Sequence, residues 1–385
     1  MLSERYNEER YSREISATFM RGGTSKGLML VHSDLPKDKK LWDEIFLNAM
    51  GSPDDNGRQL NGLGGGISSL SKVCVVETSK DKQADIDLTF GQVSVKQPVV
   101  EYLGACGNMS AAVGPFAAMR SLVATPFDGE TEITIRDVNT KKLIRSKFFM
   151  KSGVPCINGS TAISGVSGTG SPICLDFINP SGTATKKLFP TGRQVDELDL
   201  NGRTISATLA DVTTPCVFIP ISELGIDVPP LPLQLDANKM LKVQLENLRC
   251  QASYLMGLSS SIENAQKLKS IPKVGLIHSP MPYQTIGNVK QISTNFDLGV
   301  RMLSMGDAHR AIPITAGLCL AAISNIPGTV AYDLCKMKLE NIKLGHPSGI
   351  LEVSAKVIKN STEFKIESVS VVRTARPIFD GKVYW

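Results

Sequence analysis

The sequence has no clustered metal ligands and no cysteine framework. Its 385 residues include eight cysteines and four histidines, and neither CxxC nor HxxxH spacing occurs. Dispersed thiols of this kind are typical of a reducing compartment, and the lack of paired ligands argues against a structural zinc. We therefore expect a cytoplasmic protein without a bound metal.

Long apolar runs and blocks of positive charge are also missing. The longest apolar candidate, residues 311–326, is interrupted by Pro313 and polar side chains, whereas a membrane span needs roughly 18 apolar residues. Residues 1–10 contain glutamates and no apolar segment, which argues against a secretory or mitochondrial signal. The formal net charge is +5, without a Lys/Arg run. The sequence thus predicts neither a membrane nor a nucleic-acid partner, whereas its mild positive charge suits a small polyanion.

The length and the turn-rich segments of the chain favour two domains. A chain of 385 residues is too long for one ordinary core. Residues 179–185 are rich in Pro, Ser, Gly and Thr, which interrupt regular structure. Alternating apolar residues predict many strands, and a few longer apolar stretches predict helices. We expect an α+β protein with domains at 1–185 and 186–373; it stays open whether a last strand, 374–385, returns to the first domain.

The most distinctive segment is residues 104–114, in which Cys106 lies between two glycines ahead of a helical pattern. A thiol at a helix N-terminus lies beside unpaired backbone N–H groups, which hold carboxylates and lower thiol pKa values. A buried structural cysteine in a turn is the alternative. Because proline is unfavourable inside a helix, Pro115 predicts that the helix begins near Gly114 or follows a tight turn.

Two further polar loops in the first half carry candidate functional groups. The pattern around residues 21–27 predicts a strand, a turn and a second strand. The Arg, Thr, Ser and Lys side chains of this turn are suited to bind an oxyanion, and a plain hairpin without a binding role is the alternative. Residues 61–72 contain three consecutive glycines, three serines and Lys72, directly before an apolar strand. Burial there would lower the pKa of the lysine towards that of a working base. A solvated lysine at a strand end is the alternative.

A second loop-to-helix junction follows in residues 305–322. It contains His309 and Cys319, which taken singly are more typical of a loop histidine and a core thiol. Its similarity to the segment around Cys106 predicts a duplicated architecture, in which two helix N-termini converge on one ligand.

Together these motifs resemble the PrpF family, which includes isomerases of 2-methylaconitate and aconitate and tautomerases of oxalomesaconate. The resemblance runs in matching order over nearly the whole chain and rests on the segments 21–27, 64–72, 105–110, 306–310, 326–330 and 373–376. It implies a diaminopimelate-epimerase-like fold: two similar domains, each a mixed sheet wrapped around a central helix, with the active site in the cleft between them. It also implies no metal and no organic cofactor, and it leaves a homodimer open.

The family resemblance also implies roles for individual residues. The residues that match Lys72 and Cys106 are the acid/base candidates: Lys72 as the main proton-transfer base, and Cys106 as its partner acid/base or as a thiol that orients the substrate. Whether Cys319 supplies a counterpart from the second half is left open. Substrate-binding residues are expected in both halves: Arg21, Thr24, Ser25, Ser69, Ser71, Asn108, Met109, Ser110, Asp307, His309, Arg310, Thr315 and Gly317.

The substrate that the resemblance implies is an aconitate-type tricarboxylate. Its methylene lies next to a carboxylate and a double bond, so loss of a proton gives an allylic carbanion. Returning the proton to the other end moves the double bond. Isomerisation of cis- to trans-aconitate is the first choice. The alternatives are a 2-methylaconitate cis–trans isomerase, a 4-oxalomesaconate tautomerase, and a non-catalytic accessory protein of an aconitase-like enzyme.

Overall fold

The computed structural model describes residues 13–335, 340–359 and 363–385. The prediction about a targeting signal in residues 1–10 lies outside these ranges. Strands dominate the described residues. Strands β1 to β21 span, in order, Glu14–Gly22, Ser25–Val31, Lys72–Thr78, Ile86–Val93, Val100–Glu101, Gly129–Asp137, Lys142–Lys151, Val154–Pro155, Ile173–Ile178, Asp196–Leu200, Arg203–Val212, Thr214–Pro220, Lys273–His278, Tyr283–Gln284, Lys290–Gln291, Leu298–Ser304, Asp307–Ala308, Asn341–His346, Gly349–Lys359, Phe364–Arg373 and Ala375–Tyr384.

Helices are few by comparison. The described helices α1 to α7 span Lys40–Met50, Gly107–Met119, Pro232–Ala237, Lys239–Leu255, Ile262–Ala265, Ile314–Ile323 and Val330–Leu334. Helices α2 and α6 are the central ones. Helix α6 is buried along all 10 of its residues, and α2 along most of its 13. A helix that is apolar all round has to be covered on every side, and sheets cover both of these.

Helix α2 begins earlier than the sequence predicts. The expectation of a start near Gly114 is wrong, because the helix begins at Gly107 and contains Pro115. An internal proline removes a backbone donor and costs about 3 kcal/mol. Met109, Val113 and Phe116 are fully buried in the core, and each buried side chain of this size contributes about 1.5–3 kcal/mol. Tertiary packing therefore outweighs the local penalty.

The sheet around α2 begins with a hairpin. Strands β1 and β2 are antiparallel, β3 adds parallel to β2, and β4 adds antiparallel to β3. At the other edge, the last strand β21 returns to pair antiparallel with β1. Helix α2 packs against β1, β2, β3 and β7. The first half of the chain therefore ends up hydrogen-bonded to its C-terminal residues.

The sheet around α6 repeats this arrangement. Strands β11 and β12 form an antiparallel hairpin, β13 adds parallel to β12, and β16 adds antiparallel to β13. Helix α6 packs against β11, β12, β19 and β20. Strand β20 pairs with β9 of the first half, and one apolar cluster continues around both central helices. The division into domains at residue 185 stays a prediction.

Candidate active site

The N-termini of the two central helices meet at one cavity. Its lining includes residues 104–108 around the start of α2 and residues 313–315 around the start of α6. The approach is close: a Cβ built on Gly107 would lie 2.9 Å from Ile314 Cγ2, so only glycine fits there. Neither N-cap residue, Cys106 or Pro313, both within the described ranges, forms a side-chain capping hydrogen bond. The positive ends of two helix dipoles therefore face the same space, which favours an anion.

Lys72 lines this cavity as the first residue of β3. Its side chain is 7% exposed. Its Nζ donates to Gln92 Oε1 at 2.5 Å and lies 5.1 Å from the centroid of the Phe90 ring. The Gln92 amide is oriented by its Nε2, which donates to the carbonyl oxygen of Ser71 at 3.0 Å. A directed lysine in a partly apolar wall is suited to proton transfer.

Cys106 lines the same cavity as the N-cap residue of α2. Its side chain is half-buried. Its carbonyl oxygen accepts from the backbone N–H of Ser110 at 2.9 Å and from Ser110 Oγ at 3.1 Å. These two bonds fix the backbone from which the thiol projects at the N-terminus of α2. The alternative of a buried structural cysteine does not fit this position.

Asn108 joins the glycine-rich turn to the start of α2. Its Oδ1 accepts from the backbone N–H of Thr24 at 3.1 Å, and its Nδ2 donates to Thr24 Oγ1 at 3.1 Å. Gly23 has φ +50°, and a Cβ there would lie 2.0 Å from Asn108 Oδ1. Glycine is therefore required at position 23 both by its positive φ and by the close approach of Asn108. The turn places Ser25 in the cavity wall.

The second half contributes His309 and Thr315 to the wall. His309 Nδ1 accepts from the backbone N–H of Ala311 at 3.1 Å, which assigns the proton of the neutral ring to Nε2. Burial, together with the positive charge of Lys72, lowers the pKa of His309 to about 3. A neutral imidazole that donates through Nε2 is suited to hold a carboxylate or an enolate oxygen.

Sequence reasoning missed six polar residues of the cavity wall: Ser68, Gln92, Glu101, Ser270, Lys273 and Ser304. Lys273 starts β13, and its Nζ donates to the carbonyl oxygen of Ser270 at 3.1 Å. Glu101 Oε2 accepts from the backbone N–H of Ser270 at 3.2 Å. A signal for Lys273 was present, since it lies directly before an apolar strand just as Lys72 does.

Cys319 lies elsewhere. It is fully buried inside α6, with its Sγ 3.9 Å from the carbonyl oxygen of Ala210. Burial raises its pKa well above the usual thiol value, so it is a core residue and supplies no counterpart to Cys106.

In the described ranges no group of His, Cys, Asp and Glu is arranged to hold a metal ion. Nor do those ranges contain a helix with the length and apolar character to cross a membrane.

Known proteins match this chain over nearly its whole length. The PrpF protein family matches residues 12–385. The chain belongs to the PrpF family. It is 34% identical over 374 residues to the 3-methylitaconate isomerase of Eubacterium barkeri, covering 96% of this chain and 97% of the relative. It is 31% identical over 382 residues to the 2-methyl-aconitate isomerase of Shewanella oneidensis, covering 96% of both.

Solved structures place the PrpF chain in the same fold. A methylitaconate-delta-isomerase matches with a TM-score of 0.77 and 33% identity, over 96% of this chain and 95% of that one. A hydroxyproline epimerase from Agrobacterium vitis matches with a TM-score of 0.55 and 10% identity, over 97% and 94%. The second likeness shows the fold alone, a mixed, sheet-dominated α+β fold shared with epimerases. The named relatives are isomerases, and this PrpF protein is an isomerase.

The cavity brings together only part of the predicted PrpF site. Lys72, Cys106, Ser25, Asn108, His309 and Thr315 line it. The other predicted residues do not: Arg21, Thr24, Ser69, Ser71, Met109, Ser110, Asp307, Arg310 and Gly317. Three of these residues make contacts away from the cavity. Arg21 Nη1 donates to the carbonyl oxygens of Gly23 and Thr374, Ser71 Oγ donates to Gln59 Oε1, and a Cβ on Gly317 would lie 2.8 Å from Leu351 Cδ2.

Asp307 and Arg310 lie at the surface rather than in the cavity. Asp307 is 65% exposed in its side chain and pairs with Lys242 at 2.9 Å. Arg310 pairs with Asp236 at 3.9 Å.

We expect Asp307→Asn to leave kcat/KM within about twofold of wild type, because an exposed ion pair contributes only about 0.2–1 kcal/mol. Steady-state kinetics check this prediction, and a tenfold loss of kcat/KM would show that Asp307 contributes to the active site.

The lowered pKa values of three histidines predict that the stability of this PrpF protein depends on pH. Burial lowers the pKa of His278 to about 4 and of His346 to about 3, as it does for His309. In the unfolded chain each titrates near 6.5, so unfolding takes up protons as the pH falls towards 4. Burial raises the pKa of Asp137 to about 6, which has the opposite sign and offsets about one histidine.

The free energy of unfolding should therefore fall on acidification. Each histidine contributes a decrease of up to about 1.4 kcal/mol per pH unit below its unfolded pKa. Urea unfolding at a series of pH values from about 7.5 to about 5 measures this dependence. A stability that stays flat or rises as the pH falls would contradict the neutral, buried state of these rings.

Proposed function

We propose that this PrpF protein isomerises an aconitate-type tricarboxylate by allylic proton transfer, with cis- to trans-aconitate as the first-choice reaction. One observation carries the proposal: a buried lysine, Lys72, and a thiol, Cys106, line one cavity beneath the N-termini of two central helices. Helix N-termini attract carboxylates, and the two side chains are groups that move protons. We also propose that this cavity is the cleft between two epimerase-like domains.

The proposed reaction consists of one proton abstraction and one proton return. Lys72, after its own ammonium proton has left, removes a proton from the substrate methylene, and the C–H electron pair enters the allylic system. Negative charge spreads into the adjoining carboxylate, where the helix N-termini and the Nε2–H of His309 stabilise it. The new double bond forms between the former methylene carbon and the central carbon, and the conformation about that bond when the proton leaves sets its cis or trans geometry. A proton returns to the former vinyl carbon, which becomes the methylene of the product. Either Lys72 or Cys106 delivers that proton, so one proton leaves and one enters.

Proton NMR in D₂O tests the proposal directly. We expect the enzyme to convert cis-aconitate to trans-aconitate and to place solvent deuterium in the methylene of the product, because the abstracted proton is held on exchangeable groups. Heat-inactivated protein is the control. The same assay includes 2-methylaconitate, 4-oxalomesaconate and 3-methylitaconate. Turnover of none of these compounds would contradict the proposed function and favour the accessory-protein alternative.

A 2-methylaconitate isomerase is the second candidate. The relative from Shewanella oneidensis that is 31% identical over 96% of this chain carries that name. Both substrates present the same allylic methylene and the same three carboxylates, and they differ by a methyl group. A methyl group changes binding by only about 1–3 kcal/mol. The ratio of kcat/KM for the two substrates therefore decides between them, and a higher value for 2-methylaconitate would replace the first choice.

A further inference from the structure

Lys273 is a half-buried lysine of the second half of the chain. It lines the cavity beside Lys72. Its Nζ donates to the carbonyl oxygen of Ser270 at 3.1 Å and, at the longer distance of 3.4 Å, to Ser304 Oγ. No carboxylate of the described ranges forms an ion pair with it. An ammonium group that is partly removed from water without a directly paired carboxylate is costly.

The sheets give Lys273 the same place in the second half that Lys72 has in the first. Each lysine is the first residue of a strand that adds parallel to the second strand of a hairpin. Lys72 lies opposite Gly27 of β2, and Lys273 lies opposite Cys216 of β12. The counterpart of Lys72 is therefore Lys273, and Cys319 on the central helix is not.

The equivalence extends to the neighbouring strand. Lys72 lies opposite Gln92 of β4, and its Nζ donates to Gln92 Oε1. In the second half Val274 lies opposite Leu303 of β16. One step along that register puts Lys273 opposite Ser304, to which its Nζ donates. This hydrogen bond of Lys273, at 3.4 Å, is longer than the 2.5 Å bond of Lys72 to Gln92.

We propose that Lys273 binds a carboxylate of the substrate and holds it from the second half of the chain, opposite the proton-transferring Lys72. This inference rests on the proposed function, because it takes the ligand to be a polycarboxylate. Burial and the positive charge of Lys72 lower the pKa of Lys273, and the negative charge of Glu101 in the same wall offsets only part of this effect. That direction is expected for an ammonium whose counter-charge arrives with the ligand.

A structural role for Lys273 makes the opposite prediction about stability. If the ammonium of Lys273 serves to hold Ser270 and Ser304 in place, its removal would lower the stability of the protein. If Lys273 is instead a ligand-binding ammonium without an ion-pair partner in the free protein, the protein would not lose stability, since an apolar side chain of similar length removes a half-buried charge. Binding and thermal unfolding, measured on the same variants, therefore separate the two roles.

The experiment compares Lys273→Met and Lys273→Gln with wild type. Tricarballylate is the probe, because it has three carboxylates and no double bond to isomerise. We expect its Kd, measured by calorimetry, to rise about 10- to 100-fold in both variants, as for the loss of a charge-assisted hydrogen bond. We expect KM for the isomerised substrate to rise by a similar factor, kcat to change less, and Tm to stay or increase. Lys267→Met, which removes an exposed lysine of the preceding segment, is the matched control.

Every outcome decides the question. An unchanged Kd in folded variants overturns the inference, and so does a wild-type protein that fails to bind tricarballylate. Loss of folding or a lower Tm in both variants assigns Lys273 a structural role and also overturns it. Wild-type protein that binds tricarballylate in a Lys273-dependent way but isomerises none of the tested acids leaves this inference standing and contradicts the proposed function alone.

Discussion

Replacing Lys72 by methionine should reduce kcat for isomerisation by roughly 10²–10⁴-fold, the range by which a positioned general base accelerates proton transfer. Methionine keeps the length and the apolar stem that packs beside Phe90, but it cannot accept a proton. Because the Lys72 side chain is only 7% exposed, no water or buffer base readily takes its place. Single-turnover measurements of trans-aconitate formation would show the loss.

The control for Lys72 is another lysine of the same sheet. Lys26 on β2 is half-buried, its Nζ lies 5.8 Å from the Phe19 ring centroid, and it does not line the cavity. Lys26→Met should keep wild-type kcat while removing the same charge. Thermal unfolding of both variants establishes that each is folded. A Lys72→Met protein that keeps more than a tenth of wild-type kcat would remove Lys72 from the proton transfer.

Replacing Cys106 by alanine should lower kcat by roughly 100-fold or more, because the second proton-transfer group is lost. The serine variant distinguishes the two roles that remain open. A hydroxyl has almost the size of a thiol and forms hydrogen bonds, but it ionises far less readily. If Cys106 moves a proton, Cys106→Ser will be as slow as Cys106→Ala. If the thiol only orients the substrate, the serine variant will stay close to wild type.

A matched thiol controls this comparison. Cys156 is also half-buried, follows the short strand β8 and lies outside the cavity wall. Cys156→Ser and Cys156→Ala should both retain wild-type kinetics. Deuterium incorporation adds a second measurement, since loss of the returning acid should slow product formation more than exchange at the methylene. Wild-type kcat in Cys106→Ala would show that the thiol takes no part.

The sequence was most informative about chemistry near glycine-rich turns. Lys72 and Cys106 stood out because each adjoins an apolar element and a run of small residues, and the structure places both in one cavity wall. The local pattern failed at Pro115, which lies inside α2 instead of marking its start. Burial of the whole helix outweighs the penalty of one lost hydrogen bond, and a single segment of sequence cannot report that burial.

Residue type and local pattern by themselves predicted many strands and two loop-to-helix junctions. They singled out Lys72 and Cys106 as candidates, and the family resemblance implied their acid/base roles. They could not separate cavity residues from surface residues in the segment 306–310, where His309 lines the cavity and Asp307 faces solvent. They also missed Lys273. Its place beside Lys72 depends on the register of two sheets built from distant parts of the chain, and only the tertiary structure decides which side chains those registers bring together.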